Sequence, residues 1–131
     1  MRASSTVLLV LLALPAFAAT DPVAELIGTW KGTSLCTGVR AACHDETVVY
    51  HVTRAGGDRV AIAMNKIVDG EEQNMGTIEF QAAAKSRRLT ATYDSGRVKS
   101  RWAFQWTANE LRGTAADVPS GRIVRNIVLR R

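Results

Sequence analysis

Residues 98–107 constrain the fold more than any other stretch of this chain. Val98, Ser100, Trp102, Phe104 and Trp106 share one parity, and Lys99, Arg101, Ala103, Gln105 and Thr107 share the other. Successive side chains of a strand point to opposite faces. As a strand, this stretch has one apolar face and one wet face. As a helix it would scatter its aromatics around the whole circumference. Only 6% of the chain is aromatic, so placing three aromatics on one strand face is a strong constraint.

The same alternation predicts seven further strands, at 27–35, 47–53, 59–65, 75–81, 88–93, 110–115 and 122–130. Their inward residues include Gly28, Trp30, Gly32 and Ser34, then Val48, Tyr50 and Val52, then Val60, Ile62 and Met64. Further on they include Ile78 and Phe80, then Leu89, Ala91 and Tyr93, then Leu111 and Gly113. The last strand turns Ile123, Ile127 and Leu129 inward, with Arg125 among them. Gly56-Gly57-Asp58, Asp69-Gly70, Asp94-Ser95-Gly96 and Pro119-Ser120-Gly121 supply turn chemistry between strands. Asp21 caps a brief helix with Pro22 at its first position. Nowhere does a helical period persist for ten residues.

Eight short strands with short connections predict an all-β fold. A meander of eight can close on itself and so abolish exposed edges. The expectation is therefore a single antiparallel eight-stranded up-and-down barrel, with an open two-sheet sandwich as the alternative. An eight-stranded interior is filled by side chains or holds one small ligand.

Residues 1–18 read as a signal peptide rather than as part of that fold. Met1-Arg2 opens it, an unbroken apolar run follows from Val7 to Leu14, and Ala16-Phe17-Ala18 offers a cleavage site. A membrane-spanning helix needs about 20 apolar residues, and this run stops at Asp21-Pro22, so no membrane insertion is expected. Residues 19–131 then form one domain, exported to the periplasm or secreted. In that compartment Cys36 and Cys43 are expected to form a disulfide rather than a metal site. Closing so short a loop contributes about 2.5 kcal/mol in the chain-entropy description.

The opening strand, Gly28-Thr29-Trp30, resembles the Gly-x-Trp start of lipocalins and their calycin relatives. The resemblance implies that Trp30 plugs one end of the barrel and that a basic residue of the last strand packs across it. Arg125 and Arg130 are both available, and Arg125 fits better because it shares the inward face. The stretch from Gly32 to Tyr50 also resembles a group of small exported bacterial proteins, which brings no activity with it.

Catalytic and metal chemistry find little footing. His44, Asp45, Glu46 and His51 are the densest set of potential ligands, but on a strand Glu46 and His51 point to opposite faces. Ser34 and Ser100 have no nearby base, no phosphate-cradling loop is present, and Glu71-Glu72 flank a turn. No enzymatic activity, cofactor or metal is expected. The formal net charge of +5 is scattered. The aromatics alternate with Lys99 and Arg101, which opposes base stacking and hence nucleic-acid binding.

Two functions from different classes remain. Tyr50, Phe80, Trp102, Phe104 and Trp106 form a ligand-lining set if the small inward residues leave a cavity for an apolar or amphipathic molecule. If instead these aromatics interdigitate into a solid core, the barrel acts as a protein-interaction module or hydrolase inhibitor through its disulfide-tied loop. That loop would be read through Val39, Arg40 and His44.

Overall fold

The computed structural model describes residues 9–15 and 21–131. The expected cleavage point after Ala18, and much of the 1–18 segment, lie outside the described residues. Residues 9–15 carry neither helix nor strand.

A 3-10 helix, Pro22–Leu26, precedes eight strands. These are β1 Gly28–Cys36, β2 Glu46–Gly56, β3 Arg59–Val68, β4 Glu71–Ala83, β5 Arg88–Asp94, β6 Lys99–Trp106, β7 Glu110–Asp117 and β8 Ile123–Arg130. Each strand pairs with its sequence neighbours, and β8 returns to β1, so the sheet is a closed antiparallel up-and-down barrel. Closure brings backbones close together: a Cβ on Gly32 of β1 would run into the Val128 carbonyl of β8. Cys36 and Cys43 form a disulfide in the loop between β1 and β2.

One end of the tube is plugged. The helix starts as the sequence predicts, with Asp21 accepting from the Val23 amide and Pro22 at the first position. Its Val23 and Leu26 are fully buried. Two indoles clamp it from inside: Trp30 Nε1 donates to Leu26 O at 2.8 Å, and Trp106 Nε1 donates to Pro22 O at 3.1 Å. Each bond satisfies a polar group that burial would otherwise penalise.

The cation over Trp30 is Arg131, not Arg125. The Arg131 guanidinium carbon lies 4.3 Å from the Trp30 ring centroid. Arg125 does face inward, but it pairs with Ala115 and Cys36 near the opposite end of the tube. Parity assigned its face correctly and carried no information on its height along the axis.

Two inward expectations are also corrected at that far end. Val98 precedes β6 and is exposed, as is Ile123. A register shift between Ala115 and Ala116 interrupts the pairing of β7 with β8. Val124 is buried in place of Ile123.

One join in the barrel is short. β4 pairs with β5 only through Gln81, Ala82 and Ala83 opposite Thr90, Leu89 and Arg88. The register of β3 with β4 shifts just past Met64, which faces Gly76, while Asn65 faces Asn74. Gly76 adopts φ +134°, and Met75 is the extra residue of this bulge. Bulges bend the strand that carries them. This one accompanies the parting of β4 from β5, so Phe80, Ile78 and Thr77 have no partner on β5.

Candidate functional site

The barrel interior divides into a solid half and a hollow half. Around the plug, Trp30, Trp106, Leu26, Leu111 and Leu129 are fully buried. Toward the other end lies a cavity of about 280 Å³. It falls between the disulfide loop on one side and the parted β4–β5 join on the other.

Its polar wall comes from β1, β2 and β8. Ser34 is 2% exposed. Arg125 Nη1 donates to Ser34 O at 3.3 Å and meets Ser34 Oγ at 3.1 Å. Arg125 Nη2 donates to His44 O at 3.1 Å, which straps the disulfide loop to the barrel. The Glu46 carboxylate stands 3.8 Å from Arg125. Tyr50 completes this wall. It is 1% exposed, and burial pushes its phenol well above the ordinary value, opposed by the nearby Arg125 charge.

The apolar wall comes from β3 to β6 and consists of Met64, Met75, Ile78, Tyr93 and Trp102, with Gly76 and Thr77 beside them. Trp102 Nε1 donates to Ser100 Oγ at 3.0 Å. This satisfies the polar edge of an indole that lines the hollow.

The five aromatics expected to line a site are thus separated by height. Tyr50 and Trp102 line the cavity. Phe104 lies beneath them, 6.4 Å from each ring centroid, edge-on to Tyr50 and stacked on Trp102. Phe80 packs edge-on to Phe104 at 5.6 Å. These two phenylalanines form the floor rather than the wall. Trp106 belongs to the plug at the opposite end.

Sequence reasoning missed Glu46 and Arg125 as cavity residues, although both lie on inward parities. A charge on an inward face is the signal that would have found them, because a closed apolar tube admits one only where something polar awaits it. His51 points outward, as its parity requires. It bonds Thr29 Oγ1 at 3.1 Å and Glu72 Oε1 at 2.6 Å. The loop residues fare differently from one another: Arg40 pairs with Asp117, His44 offers its carbonyl to Arg125, and Val39 stays exposed.

No family model matches the chain, and no curated protein matches it. Solved structures do share the architecture. A redesigned beta barrel, b11L5F_LGL, superposes with a TM-score of 0.60 at 15% identity, over 85% of this chain and 95% of its own. A second redesigned beta barrel, mFAP1, bound to DFHBI, gives a TM-score of 0.60 at 18% identity, over 86% of this chain and 100% of its own. At these identities the likeness is one of fold.

Proposed function

We propose that this chain is an exported barrel that binds a small apolar or amphipathic molecule at its hollow end. The observation that carries this reading is the two-sided cavity, with Met64, Ile78 and Trp102 facing Ser34, Glu46 and Arg125 across the hollow. Apolar walls supply affinity at roughly 25 cal/mol per Å² buried. A few fixed polar groups supply orientation. That mFAP1 is bound to DFHBI supports small-ligand binding as a use for a tube of this shape. The apolar run at 7–14 and the disulfide support export.

The test is titration of the mature protein with a neutral dye, N-phenyl-1-naphthylamine, followed by its emission. One-site saturation is expected, with loss of binding in Ile78→Trp, which fills the hollow without adding charge. A dye response that survives in Ile78→Trp, or no response in the parent protein, would sink the reading.

A further inference from the structure

The cavity holds a carboxylate that the protein leaves without a hydrogen-bond donor. A guanidinium offers N–H groups only, and a carboxylate accepts only. Arg125 directs Nη1 at both oxygens of Ser34 and Nη2 at the His44 carbonyl. Three of its five N–H groups are therefore taken up by the protein itself. Glu46 stands in the opposite position. Its nearest cationic nitrogen, Arg125 Nη2, is 3.8 Å away, beyond hydrogen-bond distance. Among the described residues its carboxylate receives no hydrogen bond, and its side chain is 18% exposed. Tyr50, on the same strand, is 1% exposed. Both groups line the same hollow.

Aromatic rings share the cavity with this acceptor. Tyr50, Tyr93 and Trp102 line the cavity with Glu46. Ring faces attract cations, more strongly when water is excluded. A carboxylate ligand would meet Glu46 as a like charge and find three of the five Arg125 N–H groups occupied. A ligand bearing an N–H cation would meet an open acceptor and up to three ring faces.

We propose that the occupant is an amphipathic cation, an organic amine whose ammonium donates to Glu46 and whose apolar body lies against Met64, Ile78 and Trp102. This rests on the ligand-binding reading above and narrows it to a chemical class. Arg125 is a positioning residue here. It anchors the wall that carries Glu46 through its bonds to Ser34 and the His44 carbonyl. The formal net charge of +5 opposes cations at long range, but that repulsion is screened over about 10 Å at 0.1 M salt.

The experiment is calorimetry at pH 7 with three compounds that share one skeleton: 4-phenylbutylamine, 4-phenylbutan-1-ol and 4-phenylbutyrate. The amine is expected to bind at least tenfold more tightly than the alcohol, and the carboxylate more weakly than the alcohol. Glu46→Gln keeps the shape and removes the charge. It is expected to bring the amine to the alcohol's affinity while changing the alcohol less than threefold. Tyr50→Phe, with its ring retained, is expected to weaken the amine two- to fivefold. If the carboxylate binds tightest, or the amine keeps its advantage in Glu46→Gln, the proposal is overturned while the cavity reading stands. If the alcohol binds and the amine gains nothing, the same holds. If none of the three binds, both fall. A thermal melt matching the parent's certifies that each variant is folded.

Discussion

Arg131 lies over the Trp30 indole, its guanidinium carbon 4.3 Å from the ring centroid, and Arg131 Nη1 donates to Ile27 O at 3.3 Å. Trp30 in turn donates to Leu26 O. The last residue of the chain thereby fastens the helix–strand junction at the first strand. A cation over an indole at an exposed site contributes about 0.5–1 kcal/mol, and the hydrogen bond to Ile27 adds to it. Arg131→Ala is expected to lower urea-unfolding stability by about 1–2 kcal/mol. Arg125→Met should leave this end intact and loosen the disulfide loop instead. Equal stability of Arg131→Ala and the parent would contradict the assignment.

Gly32 faces the Val128 backbone with no room for a methyl group. The obstruction is a carbonyl in the β1–β8 ladder, so relief requires parting two strands rather than rotating a side chain. Gly32→Ala is expected to cost about 3 kcal/mol or more, at the upper end of overpacking effects. Chemical denaturation checks this, and a loss under 1 kcal/mol would mean that the join is looser than the geometry states.

Tyr50 gives the barrel a weakness in alkali. Burial raises its phenol above the ordinary value, so the folded state favours the neutral form. The stabilisation is therefore complete below the unfolded value of about 10 and is lost as pH rises beyond it. Stability should fall above pH 10, and Tyr50→Phe should flatten that fall. An unchanged slope in Tyr50→Phe would place the effect elsewhere.

Much of this architecture is legible in the sequence because alternation is a local property. Trp102, Phe104 and Trp106 announce an inward face from five consecutive residues, and all eight strands follow the same logic. Height along the tube is not local. Nothing in the spacing around Trp106 says that it meets Pro22, and nothing around Arg125 says that it sits far from Trp30. Those relations depend on the register of β1 with β8 and on where the helix folds back. The bulge at Met75 and Gly76 was hidden for a related reason. A glycine in a strand pattern marks a bulge only when its partner strand is known. The polar wall needed one more step, in which Glu46 and Arg125 were weighed as inward charges rather than as a loop ligand and a tryptophan cap.

The disulfide closes the loop that Arg125 straps to the barrel through His44 O. Replacing both Cys36 and Cys43 with Ser is expected to lower stability by about 2.5 kcal/mol, with the strand content unchanged. Circular dichroism with urea titration separates the two effects. Loss of β structure at zero denaturant would show that the bridge is needed for folding and does more than tie a rim.

Three rungs hold β4 to β5, whereas every other join of the barrel runs for six residues or more. A sleeve fastened so briefly along one side behaves like a cuff. Any spreading of the hollow end would fall on that side, where three rungs are all that must part, and not along the longer ladders. The plugged end, bounded by ladders of six residues or more, has no such seam.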